Sequence, residues 1–357
     1  MNPQISETAL VEAVKHPTVF DVVVIGGGVA GLTSGLYAAR DGFSTLVMEG
    51  TMLSSTDSPG GALLLTSEIA NYPGFPADEG AALVGVIREQ AENSGAIIRE
   101  ERAENLIISE EKGKCHTILS TSGDTYRARA VIIATGSIAK RLNVPGENEM
   151  FGRGVSTCAT CDGFFFKNKT VAVSGGGDTA VEDAILLTRY AEKVYLLVRG
   201  DKLKATGPEA REIIEHPDVE ILWETTVDQI ISNEEQTKVI GVAVTSKTGI
   251  THEHVKNDCE GCKECDPEAG CGILPIDGFF IAIGSNPSTG FLEGSGVPLD
   301  SEGYVLTENN STKVKNIPTG VFAAGDVADK IYRQAITSAG KAAQASMEAR
   351  AYLNHNS

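Results

Sequence analysis

Positive charge is in short supply along these 357 residues: 30 Lys and Arg stand against 48 Asp and Glu, a formal net charge of −18. That balance argues against a nucleic-acid partner, because phosphate binding needs clustered cations. It also disfavours anionic membrane surfaces. Long hydrophobic runs are lacking too, and no apolar stretch reaches the roughly 20 residues that a bilayer-spanning helix needs. Residues 1–17 have neither a basic n-region nor an apolar core; they read as an N-terminal extension with a short helix capped by Ser6, not as a signal peptide. Seven cysteines without an export signal point to a cytoplasmic protein, since thiols kept in a reducing compartment are more often catalytic or metal-bound than structural. A hydrophobic share of 41% can fill sizeable cores, and the length suits two domains or one large α/β domain.

Residues 20–25 form a near-continuous apolar run, the mark of a buried parallel strand, and lead straight into Gly26-Gly27-Gly28-Val29-Ala30-Gly31. A small-residue helix and a second strand ending on Glu49 follow. This is a dinucleotide fingerprint in its full context. Gly26 makes the tight turn, Gly28 lets the backbone approach a pyrophosphate, Gly31 lets helix and strand pack closely, and Glu49 can accept from ribose hydroxyls. The turn-rich stretches around Gly60-Gly61 and Asn71-Tyr72-Pro73-Gly74 suit a loop wrapped around a cofactor. Cys115, between Lys114 and His116, reads as a packing residue.

The pattern recurs. Strand 170–174 runs into Gly175-Gly176-Gly177-Asp178-Thr179-Ala180, then a helix, then a strand ending at Val198. Glu49 and Val198 stand at equal offsets from Gly26 and Gly175, so the second site has no ribose-binding acid. With Arg199, Lys202 and Lys204 nearby it leans to a nucleotide carrying a 2′-phosphate, whereas the first suits FAD or NAD.

Between the two fingerprints lies Cys158-Ala159-Thr160-Cys161-Asp162. Two thiols at this spacing can shuttle between dithiol and disulfide, and zinc sites use the same spacing. The acid that follows and the nearby nucleotide site favour redox chemistry. A second cluster, Cys259, Cys262, Cys265 and Cys271, is set among Asp, Glu and Gly. Zinc held by four thiolates is the first reading and a four-iron cluster the second, although the spacing before Cys271 departs from the usual iron–sulfur run; two accessory disulfides are the third.

Taken together, GGGVAG, GGALLLTSEIANYPGFP, ATGSIAKRLNVPGE, CATCDG, GGGDTAVEDA and GVFAAGDVADKIYRQA resemble the low-molecular-weight thioredoxin reductases over about residues 20–353. The resemblance implies an α/β protein of two Rossmann-like, three-layer dinucleotide-binding domains, the first discontinuous in sequence. The expected boundaries are 1–17 for the extension, 18–140 for the first part of the FAD domain, 141–275 for the NAD(P)H domain with its cysteine-rich insert at 259–271, and 276–357 for the second part of the FAD domain. Residues 276–284, a strand whose terminal turn echoes Ala134-Thr135-Gly136, are taken as the return to the FAD domain. The implied FAD site comprises Gly26, Gly28, Val29, Ala30, Gly31, Glu49, Gly61, Asn71, Thr135, Gly136, Gly325, Asp326, Arg333, Gln334 and Ala335. The implied NADPH site comprises Gly175, Gly177, Asp178, Thr179, Ala180, Arg199, Lys202 and Lys204.

The expected activity is thioredoxin-disulfide reduction in a homodimer. Electrons pass from NADPH through FAD to a Cys158–Cys161 disulfide and on to a thioredoxin-like protein. Cys161 faces the flavin, Cys158 attacks the partner, and Asp162 protonates a leaving thiolate. The family is also expected to rotate its second domain between two working positions. Three departures stand out: Ala62 replaces a Gln after the Gly-Gly of the flavin loop, the phosphate clamp His-Arg-Arg with a further Arg becomes Val198-Arg199-Gly200 with Lys204, and the cysteine-rich insert is foreign to the family. Gly200 and the possible cluster keep open a disulfide reductase fed by ferredoxin or another donor; a flavin dithiol oxidase acting on a small molecule is a second alternative, against which the intact GGGDTA counts.

Overall fold

The computed structural model describes residues 18–51, 60–65, 69–76, 79–247 and 271–356. They form two compact units; the first runs to Ile138 and resumes at Asn286, and the second is Ala139–Ser285.

In chain order, the first unit contains β1 (Thr18–Ile25), α1 (Val29–Arg40), β2 (Thr45–Met48), α2 (Gly80–Asn93), β3 (Ile97–Arg99), β4 (Ala103–Ile107), β5 (His116–Ser120) and β6 (Thr125–Ile133). Its sheet has the order β3-β2-β1-β6-β5-β4. Strands β3, β2, β1 and β6 are parallel, and β5 and β4 continue antiparallel. Both faces of the parallel part are covered, which is why β1 reads as one apolar run. Val22 and Val24 face a core shared with Leu32, Leu83 and Ile87, while Val23 and Ile25 face a second core with Met48, Val131 and Leu292. Each such buried side chain contributes about 1.5–3 kcal/mol.

After β7 (Ser137–Ala139), the second unit contains β8 (Val155–Ser156), β9 (Thr170–Ser174), α3 (Asp178–Leu187), β10 (Lys193–Leu197), β11 (Val219–Leu222), β12 (Thr225–Ser232), β13 (Val239–Ser246), β14 (Cys271–Pro275) and β15 (Gly278–Ile281). Five parallel strands take the order β11-β10-β9-β15-β8, and β12-β13-β14 form an antiparallel meander. Val171 and Val173 pack on the α3 side, and Ala172 packs on the meander side.

Here the structure departs from one expectation. Residues 276–284 do not begin the return to the first domain; they supply β15, in the middle of the second unit's sheet between β9 and β8. Their echo of Ala134-Thr135-Gly136 has a different cause. A Cβ on Gly26 would lie 2.2 Å from the Ala134 carbonyl oxygen, and one on Gly175 would lie 2.4 Å from that of Ala282. The strand β15 is therefore the second repeat's counterpart of β6. The first unit resumes within β16 (Ser285–Pro287) and goes on to β17 (Val321–Ala323), parallel to β6, and α4 (Ala335–His355). Small residues let α4 lie close on α1, where the Ser346 hydroxyl donates to the Ser34 carbonyl at 2.8 Å. Among the described residues, no helix is long and apolar enough to cross a membrane.

Candidate active site

The first fingerprint turn is tightly built. Gly26 has φ +122°, and a Cβ on Gly31 would sit 1.8 Å from the Gly26 oxygen, so both positions need glycine. Helix α1 begins at Val29 with Gly28 as an N-cap lacking any side-chain cap, which leaves its first N–H groups free to meet an anion. The nearest neighbour to a Cβ on Gly28 is the Gly61 backbone at 3.5 Å, so two glycines face each other across this turn.

The other residues expected at this site gather around it. A Cβ on Gly27 would strike Glu49, and one on Gly325 would lie 2.8 Å from Ala30. The Asn71 amide donates to Gln334 Oε1 at 3.3 Å, Gln334 caps α4 through a capping box with Thr337, and Ala335 opens that helix. Arg333 holds a left-handed φ of +47° just before it. Thr135, on the turn after β6 with Gly136 (φ +69°), has a buried hydroxyl with no hydrogen-bond partner among the described residues. The Asp326 carboxyl is pushed up to about 6 by burial, with Asp329 adding to the rise, while the Ser338 hydroxyl 3.1 Å away and Arg333 work in the opposite direction. An uncapped helix start, a glycine-walled cradle and an orphaned hydroxyl together fit a dinucleotide with a polar chain attached.

Sequence reasoning missed Arg88. Its guanidinium bonds the Glu49 carboxylate and also reaches Glu92 at 3.2 Å. Arg88 lies on α2 far along the chain from Glu49, and no local pattern links the two.

The second fingerprint repeats this geometry. Gly175 has φ +152°, Gly177 caps α3 without a side-chain bond, and a Cβ on Gly177 would meet nothing within 4 Å. Asp178 and Thr179 open the helix, and Ala180 packs beneath Gly175. Val198 lies against Gly176 as Glu49 lies against Gly27, so the two positions correspond in space as they do in offset. The loop after β10 is tied back to the turn: Lys204 and Ala205 N–H donate to the Gly176 oxygen at 2.7 and 3.0 Å, and Thr206 N–H donates to Asp178 Oδ1 at 3.1 Å. Arg199, Lys202 and Lys204 are exposed on this loop.

Cys158 and Cys161 form a disulfide with their Cα atoms 5.3 Å apart. The pair sits on a single helical turn, Ala159–Asp162, that follows the edge strand β8. Ala159 is buried in the α3 core, and Phe166 packs edge-to-face on Phe280 at 5.3 Å, so the turn is clamped at both ends. Cys161 N–H donates to Cys158 Sγ at 3.2 Å. The Thr160 hydroxyl also donates to that sulfur at 3.2 Å, because a disulfide sulfur has no proton to give. Ser156, another residue missed from the sequence, accepts from Cys158 N–H at 3.0 Å. Burial pushes the Asp162 carboxyl up, against the lowering influence of a hydrogen bond with Ser156. Beyond the turn, Phe164 and Phe165 are 65% and 40% exposed.

A model of the pyridine nucleotide-disulphide oxidoreductases matches residues 20–346. The chain belongs to this family. It is 36% identical over 334 residues to the thioredoxin reductase of Rickettsia felis, covering 93% of this chain and 98% of the relative. It is 39% identical to that of Streptomyces coelicolor, covering 93% and 94% of the two chains. Among solved structures, the thioredoxin reductase from Giardia duodenalis superposes with a TM-score of 0.82 at 31% identity, covering 94% of this chain and 99% of that one. The one from Streptococcus pyogenes gives 0.80 at 32%, covering 95% and 100%. Membership in the family makes the protein a disulfide oxidoreductase and implies FAD and NADPH as cofactors.

Of the remaining cysteines, Cys115 is a half-buried free thiol. Cys259, Cys262 and Cys265 lie outside the described residues, and Cys271 opens β14 with Thr245 as its backbone partner. Among the described residues no group of His, Cys, Asp and Glu could hold a metal ion.

Proposed function

We propose that the chain is a thioredoxin-disulfide reductase, passing electrons from NADPH through FAD and the Cys158–Cys161 disulfide to a thioredoxin-like protein. The disulfide on a clamped turn between two dinucleotide fingerprints carries this reading, and relatives of near-equal length named thioredoxin reductase support it. The first fingerprint, with Gly26, Gly28, Val29, Ala30 and Gly31, takes the pyrophosphate of FAD. Glu49, aligned by Arg88, takes the ribose, and Gly61, Asn71, Thr135, Gly136, Gly325, Asp326, Arg333, Gln334 and Ala335 take the rest. Gly175, Gly177, Asp178, Thr179 and Ala180 take the pyrophosphate of NADPH, and Arg199, Lys202 and Lys204 stand near its 2′-phosphate.

Bound FAD supplies the two-electron link between nicotinamide and disulfide. The chain's own residues do the thiol chemistry. Once the pair is a dithiol, the Cys158 thiolate attacks the partner disulfide, forming a mixed disulfide and releasing one partner thiolate, which Asp162 can protonate while its own carboxyl is held up by burial. The Cys161 thiolate then attacks Cys158 Sγ, which closes the ring and frees the second partner thiolate. Thr160 and the Cys161 N–H, both directed at Cys158 Sγ, stabilise negative charge there. The exposed Phe164 and Phe165 offer an apolar seat for the partner beside the disulfide. The enzyme works as a cytoplasmic homodimer, and the spacing of the four insert cysteines suits zinc first and a four-iron cluster second.

Anaerobic titration of the purified protein with NADPH, followed by absorbance, tests this reading. The flavin should bleach, and Cys158→Ser should still bleach while thioredoxin turnover falls on the order of 10³-fold or more. Full turnover in Cys158→Ser would refute the disulfide scheme. Bleaching by reduced ferredoxin but not by NADPH would replace the donor.

A further inference from the structure

The family's clamp for a 2′-phosphate is half missing here, because Gly200 stands where a guanidinium is expected. The second unit offers a replacement from elsewhere in the chain. At the C-terminal edge of its parallel sheet, next to the second fingerprint, lies a cleft of about 450 Å³. Small-molecule pockets span roughly 300–1,000 Å³. Leu203, Ala205, Ile214 and Trp223, the chain's single tryptophan, supply its apolar walls, and Lys202 and Arg211 bring positive charge to it. Asp201 also lines it, as a hydrogen-bond acceptor only.

Backbone pairing fixes where this cleft stands. Val198 N–H donates to the Leu222 oxygen at 2.9 Å, and Glu224 N–H donates to the Gly200 oxygen at 3.0 Å. Trp223 therefore lies beside Val198 and Gly200, one strand outward from the position that corresponds to Glu49. A dinucleotide with its pyrophosphate on the turn at residues 175–180 and its ribose at the end of β10 extends its base toward the end of β11, where Trp223 stands. Arg211 reaches the cleft from the short helix Glu209–Glu212. Neither Arg211 nor Arg199, Lys202 or Lys204 forms an ion pair or hydrogen bond with another described side chain, although the chain carries 18 more acidic than basic residues. Two of these cations, Lys202 and Arg211, line the cleft itself, and in so acidic a protein they make it a place suited to an external anion.

We propose that this cleft seats the adenosine end of the pyridine nucleotide, with Trp223 stacking on the base and Arg211 supplying the 2′-phosphate contact that Gly200 cannot. The inference rests on the second fingerprint's being the nucleotide site of the proposed reductase. It adds two residues outside the fingerprint and its following loop, one of them a built-in optical probe. A ring stacked on an indole changes its emission, and a guanidinium bonds phosphate in two-pronged fashion.

The test uses the flavin-loaded enzyme and two redox-inert probes that differ only in the 2′-phosphate, adenosine 2′,5′-bisphosphate and adenosine 5′-monophosphate. The bisphosphate should alter Trp223 emission and bind roughly tenfold or more tightly than the monophosphate. Arg211→Ala should remove most of that difference, Arg211→Lys should keep part of it, and the ratio of kcat/KM for NADPH over NADH should fall by the same factor. The side chain is exposed, so these variants should fold; Gly200→Arg, whose Cβ would meet nothing closer than 3.5 Å, should raise the same ratio. Equal binding of the two probes, or a preference untouched by Arg211→Ala, overturns the assignment. If NADPH reduces the flavin while the bisphosphate leaves Trp223 emission unchanged, the cleft assignment falls and the reductase reading stands. If the bisphosphate binds as expected but NADPH does not reduce the flavin, the cleft stands and the donor reading falls.

Discussion

Asp162 carries two opposed demands in one side chain. Its folded-state carboxyl is raised above the ordinary value by burial, so it favours the fold when protonated and costs stability when ionised. That contribution is fully present below the unfolded carboxyl value of 3.8 and is lost as pH rises through the higher folded value. Replacing it with a neutral amide should therefore stabilise the oxidised protein at neutral pH, with the advantage shrinking toward acid. The same replacement removes the proton donor, and thioredoxin turnover should fall roughly 10²-fold or more. Thermal midpoints across pH and turnover of Asp162→Asn check both parts. A variant as active as wild type would remove Asp162 from the chemistry, and one no more stable at neutral pH would remove the burial argument.

At the scale of elements, the two fingerprint turns separate glycines that build the fold from glycines that serve the ligand. Gly26 and Gly175 have positive φ and neighbours within 2.4 Å of any added Cβ. Alanine at either should cost roughly 1–3 kcal/mol or more, seen as a loss in denaturant midpoint. Gly177 is different: its backbone is extended and its surroundings are open. Gly177→Ala should leave stability within about 0.5 kcal/mol of wild type yet weaken NADPH binding, because the new methyl group stands where the pyrophosphate approaches. The glycines, the helices behind them and both CxxC positions were legible because they follow from local periodicity and local turn chemistry. The observed β9, Thr170–Ser174, coincides with the expected strand, and α3 begins at Asp178, at the fingerprint itself. Residues 276–284 were legible as a strand but not as a member of a particular sheet. An apolar run buried on both faces reads the same wherever it is inserted.

For the whole molecule, two buried titratable groups in the first unit act in opposite directions on stability. His116 is buried, accepting from Ser109 N–H through Nδ1 at 3.2 Å and bonding the Thr319 carbonyl through Nε2, and burial holds its pKa below the ordinary 6.5. A depressed folded value for a histidine means that its contribution is present above 6.5 and is lost as pH falls. Asp326, raised to about 6, behaves inversely, with a contribution present below 3.8 and lost as pH rises through about 6. In the flavin-free protein the two therefore partly offset one another below about pH 6, where their titrations overlap. Asp326→Asn should raise stability at neutral pH by up to about 3 kcal/mol and expose a steeper loss on acidification, while weakening FAD retention. Thermal melts of the flavin-free protein across pH, with flavin retention measured by filtration, check this. An unchanged neutral-pH midpoint would show that Asp326 is better solvated than its surroundings imply.

The sequence by itself determined the two strand–glycine–helix units, the disulfide between them, the acid that follows it and the absence of a ribose acid in the second unit. Each is a pattern within a few dozen residues, where side-chain period and glycine conformation act directly on the backbone. Tertiary structure alone decided that Arg88 reaches Glu49, that Ser156 reaches Cys158, that β15 stands between β9 and β8, and that Trp223 and Arg211 line one cleft. Those pairings depend on strand order and on which faces are buried, and charges or rings far apart in the chain carry no mark of the partner that folding will bring to them.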